Sequence, residues 1–202
     1  MSEAIGPDQL KALAPSGHYI ALRVGFAFPM QEVNALPADW VEHYTVQRFM
    51  LDDPVIRWIY SNTGAIRWSQ ITIADPRQVF RQAWSFGLRY GAAVCCFDGN
   101  SEGLRSFGSF ARPDREFELD EMDRLTAYVT RLHYEMAPPS TLTQAELEAL
   151  RMVKSGLRLK QIAHSLGVTE GAVKQRLKNA KIKLGAKTGT QAATMASKFG
   201  LI

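Results

Sequence analysis

Long polar and basic side chains near the C-terminus have the spacing of one face of a helix. Val173 and Leu177 lie four residues apart, so both would point to the same side and hold such a helix against a core. The other side would then present Lys174, Gln175, Arg176, Lys178 and Lys181. Ammonium and guanidinium groups pair with phosphates, and a helix of this kind fits the major groove of DNA. The plain alternative is a basic helix face in contact with water, as on many ordinary helical bundles.

The residues just before this face predict a helix-turn-helix. A short helix would turn three side chains inward, namely Ile162, Ala163 and Leu166. Gly167 permits a tight turn, Val168 would fill the space between the two helices, and Thr169 would cap the second helix. The turn spacing and the basic face together indicate DNA binding through a recognition helix.

The positive charge of the chain is concentrated in the same region. The chain has 202 residues and a net charge of +4, yet residues 140–202 contain 11 Lys or Arg against 3 Asp or Glu. The preceding residues contain 13 Lys or Arg against 17 Asp or Glu. Such a division indicates two domains, one of which meets a polyanion. Pro138-Pro139 cannot continue a helix, so we expect a first domain at 1–137, a linker at 138–141 and a second domain at 142–202.

Composition excludes several classes of protein. Hydrophobic residues make up 46% and charged residues 22%, which is ordinary for a folded protein and unlike a disordered or fibrous chain. No apolar run reaches the roughly 20 residues that a membrane-spanning helix needs, and the first residues lack the pattern of a secretion signal. Cys95 and Cys96 are adjacent, which suits neither a disulfide framework nor metal ligation. We therefore expect no metal, no cofactor and a cytoplasmic location.

The predicted secondary structure differs between the two parts of the chain. In the first part, strands are predicted over 18–28, 91–97 and 104–110, the last two joined by a hairpin turn at 98–100. Helices are predicted over 37–49, from Pro54 onward, over 76–86 and over 116–136. Asp39 should cap the first of them. The mixture predicts an α+β domain.

Two further predictions concern the long helix of the first part and the helices of the second part. In the helix over 116–136, apolar residues fall on one face, namely Leu119, Met122, Leu125, Val129, Leu132 and Met136. The second part predicts only helices, four in number, over 143–154, 159–166, 169–184 and 190–199. The overall expectation is an α+β domain followed by an all-α four-helix domain.

The second part resembles the DNA-binding domain of LuxR-type regulators. The resemblance rests on the helix-turn-helix together with Leu142-Thr143-Gln144-Ala145-Glu146, Leu150, Gly156, Lys183-Leu184 and Gly200-Leu201-Ile202. It implies that Lys174 and Lys178 approach DNA bases, and that Lys160, Thr169 and Arg176 contact the DNA backbone. It also implies a transcription regulator that forms a homodimer and binds double-stranded DNA at a two-fold operator.

The first part resembles the sensor domain of the same family. Trp40, Tyr44, Asp53-Pro54, Trp68 and Gly91 occur in the family's order. This implies a quorum-sensing regulator whose sensor domain is an α/β/α sandwich around a central antiparallel sheet. It also implies that the sensor domain binds an acyl-homoserine lactone. Gly91 would let a strand approach its neighbour closely.

The residue types suit the chemistry of such a lactone. An indole N–H only donates, so Trp40 suits the ring carbonyl, and a carboxylate only accepts, so Asp53 suits the amide N–H. Tyr44 and Ser109 can donate to the acyl carbonyl, while Trp68 would pack against the ring and tail. Each also has a structural alternative, the tryptophans as core residues and Asp53 as a helix cap.

Leu36 departs from the family pattern and keeps other functions open. Many members have there a tyrosine that helps to hold the acyl carbonyl, so we expect a pocket of different size or selectivity. A second interpretation is therefore a ligand-independent regulator, or an antagonist of a related regulator. An enzyme that processes lactones is a third, but the sequence indicates no Ser/His/Asp set and no nucleophile–base pair, so we expect no enzymatic activity.

Overall fold

The computed structural model describes residues 5–25, 28–98, 104–137 and 141–202. The chain divides into two units, Met1–Met136 and Ala137–Ile202. Three predictions fall partly outside the described residues, at positions 26–27 of the first strand, 99–100 of the hairpin turn and 138–140 of the linker. Within the described part, no helix has both the length and the apolar character to cross a membrane.

A five-stranded antiparallel sheet forms the centre of the first unit. Its strands are β1 (Gly17–Val24), β2 (Gln31–Asn34), β3 (Gly64–Arg67), β4 (Tyr90–Phe97) and β5 (Arg105–Arg112), in the spatial order β2-β1-β5-β4-β3. β4 and β5 pair as predicted. The sequence did not predict β2 and β3, since each has four residues and is largely exposed, too short for a clear alternation.

Helices cover both faces of this sheet. On one face lie α1 (Pro7–Leu13) and α5 (Leu119–Glu135). On the other face lie α2 (Ala38–Val46), α3 (Pro54–Ser61) and α4 (Val79–Trp84), with 3-10 turns at Phe49–Leu51 and Trp68–Gln70. The predicted α+β fold with a central antiparallel sheet is therefore confirmed.

Two details of the predicted helices are wrong. Asp39 does not cap α2, because Pro37 occupies the capping position and Asp39 lies within the first turn. The helix expected over 76–86 begins only at Val79. The Asp75 carboxylate accepts a hydrogen bond from the Val79 amide at 2.8 Å. The helix therefore starts three residues after Pro76.

The apolar face of α5 is confirmed along most of its length. Met122, Leu125 and Val129 are buried against the sheet, and Leu132 and Met136 pack beside them. The prediction is wrong for Leu119, because 74% of the surface of this residue is exposed. It is the first residue of the helix and lies beyond the edge of the core.

The described residues of the second unit form four helices, as predicted. They are α6 (Gln144–Lys154), α7 (Leu159–Leu166), α8 (Glu170–Leu184) and α9 (Gly189–Lys198). Thr143 and Glu146 form the capping box of α6: the Thr143 amide donates to Glu146 at 2.8 Å and the Glu146 amide donates to Thr143 Oγ1 at 3.3 Å. Gly167 ends α7 in the left-handed conformation, with φ of 64°, which a side chain would strain.

Candidate ligand pocket and DNA-binding surface

A cavity of about 350 Å³ lies between the sheet and helices α2, α3 and α4. This volume is within the range of small-molecule sites. The structure brings all five sequence-predicted ligand residues to its wall, namely Trp40, Tyr44, Asp53, Trp68 and Ser109. Leu36, where the family pattern differs, also lines it. Trp40 and Ser109 lie 69 positions apart in the chain, yet both line the same cavity.

Asp53 is both a helix cap and a cavity residue. One of its carboxylate oxygens accepts a hydrogen bond from the Val55 amide at 2.7 Å, which caps α3, and Pro54 supplies the first residue of that helix. The other oxygen accepts from the Tyr44 hydroxyl at 2.8 Å. Burial raises the pKa of Asp53, while these hydrogen bonds act against the rise. The sequence allowed two interpretations of Asp53, as a helix cap and as a ligand residue, and its position is compatible with both.

Tyr44 plays a different part from the one expected. Its hydroxyl proton is directed to Asp53, so in this arrangement the oxygen offers lone pairs to the cavity rather than a proton. Burial, followed by the nearby Asp53 charge, raises the pKa of Tyr44, so the phenol stays protonated. Ser109 is then the better placed hydroxyl donor. It lines the cavity on strand β5.

Trp40 belongs to an aromatic cluster that forms one wall of the cavity. Only 6% of its surface is exposed. Its ring meets Tyr44 nearly edge-on, with centroids 5.6 Å apart, and lies 5.4 Å from Phe86 and 6.2 Å from Phe49. The cluster fixes the indole in one orientation. Trp40 is therefore a core residue that also faces the cavity.

Trp68 explains the glycine at position 91. A Cβ atom added to Gly91 would lie 2.0 Å from the Trp68 ring. The expected reason, close approach of a neighbouring strand, is therefore wrong, since the group that comes close is an indole. The Trp68 Nε1 atom is buried and has no hydrogen-bond partner among the described residues. Its ring packs against Phe80 at 5.7 Å between centroids.

Sequence reasoning missed several cavity residues, among them three on β1 and β2. Tyr19, Glu32 and Asn34 line the side of the cavity formed by β1 and β2. Glu32 and Asn34 are two positions apart, as residues on one face of a strand must be. That alternation was the available signal, but in a strand of four residues it is too short to recognise.

The second unit presents the predicted basic surface. Val173, Leu177, Ala180 and Leu184 bury one face of α8. Lys174, Gln175 and Lys178 are exposed on that helix, and Arg176 and Lys181 are half-buried. Lys160 is exposed on α7. Thr169 caps α8, since its Oγ1 accepts a hydrogen bond from the Ala172 amide at 3.2 Å. These positions fit a surface that could meet DNA.

A hydrogen-bonded Ser/His/Asp chain does occur, contrary to the sequence-based expectation. Ser106 Oγ lies 2.7 Å from His133 Nδ1, and His133 Nε2 lies 2.8 Å from Asp98 Oδ1. Arg23 closes the group through a 2.6 Å ion pair with Asp98. Ser106 and His133 are buried between the sheet and α5, on the face opposite the cavity. Among the described residues, the serine is therefore buried and does not face the cavity.

Comparisons with known proteins point to one family. The model of the autoinducer binding domain matches residues 22–135, and that of bacterial regulatory proteins of the luxR family matches residues 140–196. The transcriptional activator protein VanR of Vibrio anguillarum is 30% identical over 184 residues, covering 82% of this chain and 75% of that protein. The quorum-sensing regulator RhlR of Pseudomonas aeruginosa is 29% identical, covering 89% and 79%. A crystal structure of Escherichia coli SdiA matches with a TM-score of 0.51 at 26% identity, covering 92% and 83%.

Proposed function

Because this chain belongs to the LuxR-type quorum-sensing transcription regulators with an autoinducer-binding domain, we propose that its ligand is an acyl-homoserine lactone. The observation that carries the proposal is the convergence of Trp40, Asp53 and Ser109 on one cavity. They supply a donor, an acceptor and a second donor, which matches the ring carbonyl, the amide N–H and the acyl carbonyl of such a lactone.

Each polar group of the ligand then has one main partner. The Trp40 indole donates to the ring carbonyl, Asp53 accepts the amide N–H, and Ser109 donates to the acyl carbonyl. Tyr44 holds the Asp53 carboxylate in position and lies beside the acyl group. Trp68 packs against the ring and tail. A ligand that lacked one of these polar groups would leave a buried partner unpaired, at a cost of about 1–3 kcal/mol.

The second unit carries out DNA binding in this proposal. Lys174 and Lys178 on α8 approach base edges, while Lys160, Thr169 and Arg176 contact the DNA backbone. The protein acts as a cytoplasmic homodimer on a two-fold operator, with half-sites about one helical turn apart. Ligand binding stabilises the folded sensor domain and so changes the population of the DNA-binding dimer.

Thermal melting with a series of lactones tests the ligand. A lactone present at 100 times its Kd should raise the free energy of unfolding by about 2.7 kcal/mol and so raise the melting temperature by several degrees. The hydrolysed, ring-opened forms of the same compounds are the control, since they lose the ring and gain a charge. If no lactone shifts the melting temperature, the proposed ligand is wrong and a ligand-independent regulator or antagonist takes its place.

Loss of two lysines tests the DNA-binding surface. Lys174→Ala with Lys178→Ala should abolish specific operator binding in a fluorescence anisotropy titration, while the lactone-induced shift in melting temperature is retained. Lys154→Ala with Lys198→Ala removes the same charge away from α8 and should leave most of the affinity. Equal operator affinity for the two double variants would refute the assignment of α8 as the recognition helix.

We also propose that the chain has no enzymatic activity toward the lactone. The burial of Ser106 and His133 supports this, because a nucleophile needs access to its substrate. Incubation of the protein with a lactone should return the compound intact, as measured by mass spectrometry. A ring-opened or deacylated product that depends on Ser106 would overturn the proposal.

A further inference from the structure

Polar side chains form a row across the cavity-facing side of the sheet. The strand register places Tyr19 of β1 opposite Ser109 of β5, and Asn34 of β2 opposite Tyr19 on its other side. Directly opposed residues of antiparallel strands point to the same face, with their Cβ atoms about 5 Å apart. The row therefore leads from Ser109, the proposed partner of the acyl carbonyl, toward the edge strand β2.

Glu32 stands beside this row with a defined orientation. The Tyr19 hydroxyl donates to one carboxylate oxygen of Glu32 at 2.9 Å. Burial, followed by the hydrogen bond and charge of Glu32, raises the pKa of Tyr19 to about 12, so the phenol remains a donor at neutral pH. That hydrogen bond uses only Oε2 of Glu32, and the side chain is exposed. The wall of the cavity thus has a carboxylate that Tyr19 orients and that can accept a further hydrogen bond.

A carboxylate at this position discriminates between kinds of acyl chain. Glu32 lies at the solvent-accessible edge of the cavity, so a chain that covers it displaces water from a charged group. An unsubstituted alkyl chain forms no hydrogen bond with the carboxylate, so the lost hydration is not replaced. A ketone on the chain is only an acceptor and would face another acceptor, whereas a hydroxyl can donate to the carboxylate.

We propose that Glu32, held in place by Tyr19, determines the specificity of the cavity and selects acyl chains that carry a hydroxyl group. This inference rests on the proposed function, since it names the class of lactone that the same cavity prefers. Hydrogen bonds to a charged group are among the stronger ones in proteins, so the preference over the unsubstituted chain should be about tenfold or more in Kd.

The test compares three lactones of equal chain length, with no substituent, a 3-oxo group or a 3-hydroxy group. Calorimetric titration of the full-length protein should give the lowest Kd for the 3-hydroxy compound and the highest for the 3-oxo compound. In Glu32→Gln the new amide can donate as well as accept, so the 3-oxo compound should gain affinity and the preference should shrink or reverse. The unsubstituted compound should change little.

Two further variants make the result specific. Glu118→Gln is the matched control, because it removes the same charge from an exposed residue that does not line this cavity and precedes α5, on the opposite face of the sheet. It should leave the order of the three compounds unchanged. Tyr19→Phe removes the hydroxyl that orients Glu32 and should weaken the preference without reversing it. An unchanged melting temperature without ligand confirms that each variant is folded.

Failure of this inference differs from failure of the proposed function. If the wild-type protein binds the lactones but shows no preference for the hydroxyl, or if Glu32→Gln keeps the wild-type order, Glu32 does not determine specificity. The lactone-binding function would still stand. If the wild-type protein binds none of the three compounds, the lactone assignment itself is wrong and the inference falls with it.

Discussion

Asp53 carries a structural and a proposed ligand-binding role on the same carboxylate, and a single substitution can separate them. In Asp53→Asn the side-chain carbonyl can still cap α3, so folding should survive with a modest loss of stability. The amide no longer offers two acceptor oxygens to Tyr44 and to the ligand. We expect the Kd for a bound lactone to rise about tenfold or more, measured by calorimetric titration.

The neighbouring residue provides the control for this change. Asp52 pairs with Arg77 at 3.3 Å, and both side chains are 42% exposed. Asp52→Asn removes the same charge one position away and should leave the Kd unchanged, since exposed pairs contribute little. Similar Kd values for the two variants would contradict the role assigned to Asp53.

Gly91 permits the position of Trp68, and this can be tested with a double-mutant cycle. Gly91→Ala places a methyl group inside the volume of the indole, so Trp68 must move. We expect the variant to lose about 1–3 kcal/mol of stability in chemical denaturation. It should also bind lactone more weakly, because the ring would move into the cavity or away from its wall.

The second half of the cycle removes the ring. Trp68→Ala alone should destabilise the protein by leaving a void, but Gly91→Ala added to it should cost little, since no ring remains to be displaced. The two effects must therefore be strongly non-additive. Additive losses would mean that the strain caused by Gly91→Ala is located elsewhere.

At the level of elements, Glu121 joins the start of α5 to β5. Its carboxylate accepts hydrogen bonds from Arg115 at 2.8 Å, from Arg112 at 3.0 Å and from the Glu118 amide at 2.8 Å. The hydrogen bond from Arg115, aided by Arg112, lowers the pKa of Glu121 to about 2. A lowered pKa in the folded state means that the carboxylate stabilises the fold above its usual pKa of about 4.5.

This gives a pH dependence with a definite sign. The contribution of Glu121 is complete near neutral pH and is lost as the pH falls from about 4.5 toward 2. Glu121→Gln should cost about 1–3 kcal/mol at pH 7, and the difference from the wild type should shrink over that acidic range. Urea denaturation at a series of pH values measures it. Glu118→Gln, at a side chain that is 68% exposed, should cost little at any pH.

The elements that were predictable from the sequence are those whose signals are local. Thr143 with Glu146 marks the start of α6, and Gly167 marks the end of α7, because caps are formed by residues close in the chain. The α+β pattern and the β4–β5 pairing have similar short-range signals. The pocket residues came from a family resemblance, since nothing local to Trp40 or Ser109 indicates that they face one cavity.

What was missed depends on contacts between distant residues. Ser106 and His133 are 27 positions apart and belong to a strand and a helix, so their hydrogen bond arises only from the packing of α5 on the sheet. Tyr19 and Glu32 meet across two strands, one of which is too short to recognise. Trp68 determines the identity of Gly91 from 23 positions away, and the sequence alone suggested a different neighbour.

For the whole molecule, a regulator needs energetic coupling between its ligand cavity and its DNA-binding surface. If a lactone changes the Kd for operator DNA by some factor, thermodynamic linkage requires operator DNA to change the Kd for the lactone by the same factor. Allosteric couplings of this kind are typically about 5- to 150-fold. The coupling free energy can have either sign, since the ligand can strengthen or weaken DNA binding. The change in operator Kd and the change in lactone Kd must have the same sign.

This reciprocity can be measured on the full-length protein. Operator affinity is determined by anisotropy with and without saturating lactone, and lactone affinity by calorimetry with and without saturating operator. We expect the two factors to be equal. Lys174→Ala with Lys178→Ala should abolish both, because this double variant does not bind operator DNA although its cavity is unchanged. If the lactone binds but leaves the operator Kd unchanged, the two units are not coupled through this ligand. The chain would then act on transcription independently of the lactone, even though its cavity accepts it.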